Sequence, residues 1–168
     1  MTEKIVEKLV GMLGKFLSKH LIVFIVSMFP ILELRGGLLA AAALKINPVE
    51  SYIICVIGNF IPIPFILLLI KSIIKKMLES KIKLFNSFAS WLHKKSDKNK
   101  AQIEKYGFWG LVLFVGIPLP GTGAWTGALI ASLLEMERKK AFLAISVGII
   151  MASAIMMVIS FGIVGRLL

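Results

Sequence analysis

The sequence predicts an all-α integral membrane protein: an inverted repeat of re-entrant hairpin plus transmembrane helix, with amphipathic interfacial helices. Three observations lead there. The 168 residues are 58% hydrophobic and only 17% charged, with a mean hydropathy of +0.89, outside the usual soluble composition. The stretch Gly107 to Leu134, GFWGLVLFVGIPLPGTGAWTGALIASLL, carries no charge and yet is broken in its middle by Pro118, Pro120, Gly121 and Gly123. The same broken form also occurs 90 positions earlier.

Taken in order, residues 1–20 set Ile5, Leu9, Met12, Leu13 and Phe16 at helical spacing, with Lys4, Lys8, Lys15 and Lys19 largely off that face. That is the pattern of an amphipathic helix lying in the membrane interface. A basic start before an apolar run also suits a signal peptide, but Glu33 and Arg35 interrupt before any A-x-A site at Ala40 to Ala42. Cleavage is therefore not expected.

Residues 21–70 form the first repeat unit of a single membrane domain, 71–105 a basic linker, and 106–168 the second unit. In the first, Leu21 to Leu44 is two apolar arms separated by Pro30, Glu33, Arg35, Gly36 and Gly37. Laid without a gap over Leu111 to Met136, residues 21–46 match at seven of 26 positions: Leu21, Phe24, Pro30, Gly37, Leu39, Ala41 and Leu44 recur 90 residues on. Gly58 and Gly148 pair at the same offset, so the repeating unit is a hairpin plus the helix after it.

Each arm of the second hairpin, Phe108 to Ile117 and Ala124 to Leu134, rises only about 15 to 17 Å, roughly half a hydrocarbon core. Hence the re-entrant reading. Spanning helices follow at Val49 to Ile70, after an Asn47-Pro48 start and with a bend at Asn59, Pro62 and Pro64, and at Ala141 to Gly165.

The linker carries ten Lys against Glu79, Asp97 and Glu104, a balance of +7, and reads as cytoplasmic by the positive-inside rule. Its Ile73, Ile74, Leu78, Ile82, Phe85, Phe88, Ala89 and Leu92 suggest amphipathic helices on the inner leaflet. The formal net charge of +11 is thereby a topology signal, and no nucleic-acid partner is expected. With hairpin one re-entrant, a single crossing separates the two hairpins and inverts the second unit. Hairpin one then enters from outside, hairpin two from the cytoplasm, and their turns meet near the midplane of a multi-pass protein of the inner (cytoplasmic) membrane. If both broken segments span instead, there are four crossings and parallel repeats, with the basic N-terminal helix inside but Arg138, Lys139 and Lys140 exported.

Glu33 and Arg35 are the ionisable residues deepest in any apolar segment. A charge there costs about 2.5–3.5 kcal/mol on insertion scales. Residues two apart do not face each other on a helix, so the pair implies local unwinding or different partners. Desolvation disfavours a charged carboxylate, which makes Glu33 the candidate for proton coupling; Arg35 offers a fork of donors to a phosphate or carboxylate. The bland alternative is a structural ion pair. Pro118, Pro120, Gly121, Thr122, Gly123, Trp125 and Thr126 are the candidate substrate-binding turn, because glycines permit close backbone approach and N–H groups at a half-helix start favour an anion. A tight, well-packed turn would use the same residues. Asn59 either lines the same cavity or makes a helix–helix hydrogen bond.

Cys55 lies in an apolar segment and reads as packing. His20 and His93 read as solvated, and Tyr52, Tyr106 and Trp109 as interface anchors. There is no phosphate-binding G-x-x-x-x-G-K-[ST] loop, no metal-ligand spacing and no Ser-His-Asp set. No enzyme, metal or cofactor is expected.

At FPILELRGG, IGNFIPIPFIL and FVGIPLPGTGAWTGALIASLL the chain resembles the small multidrug export protein family of bacterial and archaeal membrane proteins, over roughly Leu21 to Gly165. That family often has a small residue and then Ile-Pro after the arginine and glycine, where this chain has Gly37, Leu38 and Leu39. More distantly, the paired hairpins resemble the DedA superfamily, whose members are linked to transport or flipping of lipid phosphates and to proton-dependent drug resistance. The resemblance implies that Glu33 and Arg35 match an acidic and a basic residue tied there to activity.

Three functions follow as expectations. One is a proton-coupled secondary transporter of an amphipathic or lipid-phosphate substrate, with Glu33 titrating and Arg35 and the PLPGTG backbone holding the headgroup. The second is a proton-coupled exporter of hydrophobic cations, and the third a non-transporting membrane scaffold acting through the basic linker. Membrane lipids and protons are the expected partners. So few membrane elements also suggest a homodimer.

Overall fold

The computed structural model describes residues 17–79 and 106–163, with Ser87 and Ser90 between them. The leading amphipathic helix and most of the basic linker lie outside the described residues. Those described are helical, without strands: α1 (Lys19–Met28), α2 (Glu33–Ala43), α3 (Pro48–Phe60), α4 (Pro62–Leu78), α5 (Tyr106–Gly116), α6 (Ala124–Leu133) and α7 (Arg138–Met157), the last continued by a π-helical stretch, Val158–Ile163.

Local chemistry explains the boundaries. Ser18 accepts from the Leu21 N–H at 3.3 Å and caps α1, so Lys19 and His20 open this helix instead of closing the leading one. Phe29, ahead of Pro30, is extended and ends α1. Asn47 accepts from the Val49 N–H at 2.9 Å with Pro48 in the first turn of α3. The interruption between α3 and α4 falls at Ile61, within the segment where a bend is expected, because Pro62 and Pro64 supply no N–H to the carbonyls of Gly58 and Phe60. Ile61 keeps helical angles, and Pro48–Leu69 remains one apolar stretch of 22 residues, matched by Arg138–Gly162 with 25. Both are long enough to cross a bilayer. α4 runs on to Leu78, eight residues beyond the predicted end.

Many of the residues these two helices bury are small or polar, Ser51, Cys55, Gly58 and Asn59 on α3 and Ala141, Ala144, Gly148, Ala152 and Ser153 on α7, beside the larger Ile63, Ile66, Ile145 and Ile149. Their outward stripes stay apolar: Ile53, Ile57, Phe65 and Leu68 on one, Leu143, Val147 and Ile150 on the other, are all exposed. A surface apolar outside and small inside suits lipid, where close packing replaces the hydrophobic effect.

Backbone features recur 90 positions apart. Phe29 to Leu32 and Leu119 to Thr122 are both β-turns with proline second, each closed by a 3.2 Å N–H···O bond. Gly121, at φ 81°, takes the positive angle of a type II turn. The next residues, Glu33 (φ 50°) and Gly123 (φ 133°), are again both positive. α2 and α6 end alike: Lys45 and Glu135 adopt φ 54° and 58°, while Ile46 and Met136 donate to Ala41 and Ala131 at 3.0 Å, the Schellman pattern.

Packing recurs as well. A Cβ on Gly58 would strike the Phe24 carbonyl of α1, and one on Gly148 the Val112 carbonyl of α5. One on Gly37 would strike Ser27 of α1, and one on Gly127 Val115 of α5. In each half the second arm and the spanning helix thus close on the first arm. α4 packs against α6, while the end of α7 packs against α2.

Candidate functional site

The site is built where the two turns meet. Gly123 precedes α6 at φ 133° and ψ −179°, a backbone conformation that side chains rarely adopt, and a Cβ there would collide with the Glu33 carboxylate. That carboxylate, on a residue only 4% exposed, accepts from the Ala124 N–H at 3.0 Å and the Trp125 N–H at 2.9 Å. It caps α6 from outside that helix, meeting two of the donors a helix start leaves open and the positive end of its dipole.

Arg35 turns to the other end of the break. Its Nη1 donates to the Leu119 carbonyl at 2.7 Å, and its Nη2 reaches the Ile117 carbonyl at 3.3 Å and Thr122 Oγ1 at 3.0 Å. The Thr122 hydroxyl lies 2.8 Å from the Leu119 carbonyl and 3.0 Å from that of Ile117. Glu33 and Arg35 thus hydrogen-bond different partners, the second of the two possibilities read from their spacing. Each serves the main chain of the other hairpin.

Contacts also run back. Trp125, which stands 90 positions after Arg35, donates its Nε1–H to the Met28 carbonyl at the end of α1, at 3.1 Å. Arg35 grips the carbonyls flanking Pro118, and Met28 stands 90 positions before Pro118. Arg35 and Trp125 thus each donate to main-chain carbonyls near the end of the other hairpin's first arm, at positions that are close to, but not, counterparts of one another.

Beside this junction lies an open cleft of about 450 Å³, lined by the two turns, Arg35, Leu39, Thr126 and Met156. Among its lining residues Arg35 is the charged one; Glu33 is behind the wall. Of the residues singled out from sequence, Arg35, Pro118, Pro120, Gly121, Thr122 and Thr126 line the cleft. Gly123, Trp125 and Glu33 form the junction behind it. Asn59 does not line it: it is fully buried, and neither polar atom of its amide has a hydrogen-bond partner.

Sequence reasoning missed Leu39 and Met156, whose apolar chemistry matches every neighbour, and the carbonyls that hold Arg35, which no side-chain pattern reveals. The spacing of Arg35 and Trp125 at the repeat offset was a usable signal that both reach across to the other half. Among the described residues there is no group of three or more His, Cys, Asp or Glu that could hold a metal ion.

A family model described as "Putative small multi-drug export protein" matches residues 33–155, most of the chain, from Glu33 to one residue short of Met156. It bears out the first resemblance; the likeness to the DedA superfamily, read from the paired hairpins, is not shown by any match. No curated protein and no solved structure matches the chain.

Proposed function

We propose that this chain, which belongs to the small multi-drug export protein family, is a proton-coupled secondary transporter that moves an amphipathic anion, a lipid phosphate, through a midplane cleft between two re-entrant hairpins. The family description and the two apolar helices long enough to cross a bilayer support a membrane transport protein rather than an enzyme. One spanning helix separates the two hairpins in the chain, which supports inverted repeats. The turns, helix ends and glycine contacts that recur 90 positions apart support the same reading. Hairpin arms of 10 and 11 residues, such as α1 and α2, are too short to cross, and irregular backbone at membrane depth is tolerated where it lines a cavity. We place the chain in the inner membrane on the linker charge, and the small protomer favours a homodimer.

The observation that carries the substrate choice is that Arg35 lines the cleft while Glu33 is turned away and occupied. A guanidinium in an otherwise apolar wall matches a phosphate with a hydrocarbon tail. Proton coupling follows from the junction behind the cleft: protonation of Glu33 turns one acceptor oxygen into a hydroxyl and frees an N–H at the start of α6, which loosens the hold of one hairpin on the other while Arg35 holds the phosphate in the cleft.

The test is uptake into proteoliposomes under a pH gradient, wild type against Glu33→Gln, for a polyprenyl phosphate and for a lipophilic cation. Phosphate uptake lost in the variant is the expected result. Movement of the cation alone would replace this reading with drug export. Movement of neither by folded protein would leave the scaffold, for which neutralising Lys94, Lys95, Lys98 and Lys100 is the next perturbation.

A further inference from the structure

A second cavity, of about 420 Å³, lies at the opposite end of α6 from the cleft, against α4 and the start of α7, and shares no lining residue with it. Leu67 and Leu68 form an apolar wall, and Arg138 and Glu137 stand on the polar side. The apolar stretch Pro48–Leu69 ends here and Arg138–Gly162 begins here. The cavity therefore sits where hydrocarbon gives way to water, at the depth of lipid headgroups.

The start of α7 lacks what a helix start needs. The N–H groups of Arg138, Lys139 and Lys140 precede the first intrahelical bond, which Ala141 makes to the Glu137 carbonyl at 2.8 Å. Among the described residues no side chain caps them, and the first turn holds no acid. The Glu137 carboxylate turns instead to Lys140 at 3.1 Å. Three cations thus crowd the positive end of the helix dipole, an arrangement that an anion relieves. The repeat does not require this. At the same offset in the first half Asn47 caps α3 and Glu50 supplies the first-turn acid.

Ser132 is a second, independent sign. It lines the cavity and is only 6% exposed, yet among the described residues its hydroxyl has no hydrogen-bond partner. Ser27, Ser51, Ser146 and Ser153 each donate to a carbonyl three or four residues back, the usual resort of a helical serine. A buried hydroxyl left without one is costly. Its counterpart at the repeat offset is Ala42, so packing does not call for a hydroxyl either. Glu135 also lines the cavity. A purely anionic headgroup would meet two carboxylates there, and a purely cationic one the Arg138 guanidinium.

We infer that this cavity holds the headgroup of a zwitterionic aminophospholipid. The phosphate lies at Arg138, Ser132 and the open N–H groups of α7, the ammonium faces the Glu137 carboxylate, and an acyl chain runs along Leu67 and Leu68. The lipid caps α7 and packs beside the contact of α4 with α6. It is a resident of the fold, apart from whatever passes through the cleft.

The test is binding, read without any gradient and so independent of transport. Protein purified in mild detergent and stripped of lipid is titrated with phosphatidylethanolamine, phosphatidylglycerol, phosphatidylcholine and inorganic phosphate, and bound ligand is counted by native mass spectrometry. Phosphatidylethanolamine binds tightest. Arg138→Gln weakens it about ten- to a hundredfold, as loss of a charged hydrogen-bond partner does. Lys139→Gln, the same change of charge on the neighbouring residue outside the lining, weakens it by less than about threefold. Ser132→Ala weakens the lipid without lowering the melting temperature of the lipid-free protein, and Glu137→Gln removes the preference over phosphatidylglycerol. Equal losses in Arg138→Gln and Lys139→Gln overturn the site, since surface charge alone then attracts the lipid. Phosphatidylglycerol or phosphatidylcholine bound as tightly by wild type overturns the zwitterionic headgroup. Inorganic phosphate that displaces the lipid at equal concentration makes this a site for the free ion and overturns the lipid.

Discussion

Placing a methyl group on Gly123 tests whether the two hairpins are joined through Glu33. Gly123→Ala does two things at once. At φ 133° it strains the backbone by about 1–3 kcal/mol, and its Cβ evicts the Glu33 carboxylate, losing the bonds to the Ala124 and Trp125 N–H groups at 3.0 and 2.9 Å. Hydrogen bonds to a charged group are worth about 1.5–3 kcal/mol each. Unfolded chains in a membrane also find partners, so the lower end applies, about 3 kcal/mol for the two. Glu33→Ala alone forfeits the same bonds. In the double variant they are lost once, so the single effects overcount by about 3 kcal/mol and the coupling energy is about that size. Reversible unfolding in mixed micelles, followed by tryptophan fluorescence, measures all four corners of the cycle. Additivity within about 0.5 kcal/mol would refute the junction. If Gly123→Ala does not accumulate in cells, restored accumulation on adding Glu33→Ala is the same result read another way.

Arg35→Lys keeps the charge but has a single donor nitrogen on a shorter side chain in place of the two Nη groups that reach Leu119, Ile117 and Thr122, so it should lower stability by about 1–2 kcal/mol and slow lipid-phosphate uptake roughly tenfold on the proposed function, read by melting and by flux. Trp125→Phe keeps the ring and removes the Nε1–H bond to Met28; a loss of about 0.5–1 kcal/mol and unchanged substrate preference are expected from the same two assays. Asn47→Ala removes the cap on α3, and a loss of about 1 kcal/mol should appear as a lower unfolding midpoint without any change in flux.

Much of the architecture was legible because membranes restrict the menu. Pro118, Pro120, Gly121 and Gly123 inside an uncharged run announced a break, and Asn47-Pro48 a helix start, since each acts through local backbone chemistry. The type II turn at Gly121 follows the same logic. Other positions were not legible. Lys45 and Glu135 adopt positive φ without glycine, because tertiary context holds a Schellman end that local preference disfavours. Gly36 and Gly37 looked like part of a break, yet both lie inside α2; Gly37 is small because Ser27 and Cys55 press on it. Asn59 read either as a cavity residue or as a helix–helix hydrogen-bonding group; it is buried away from the cleft, with neither amide atom paired.

The two charges were hardest to read, because their partners are main-chain atoms of a segment over 80 residues away. A broken helix in hydrocarbon has orphan N–H groups after the break and orphan carbonyls before it, and lipid can meet neither. Hairpin one supplies both needs of hairpin two: an acceptor for the start of α6 and a forked donor for the end of α5. On the proposed function, the structural and functional roles of Glu33 and Arg35 are one role. Under that reading the groups that stand in for solvent at an empty break are the ones an incoming anion loosens, so an empty transporter keeps its hairpins locked. Locking by Glu33 alone would make the protein a rigid scaffold. Arg35 breaks that equivalence, because it reaches the same loop from the wall of an open cleft.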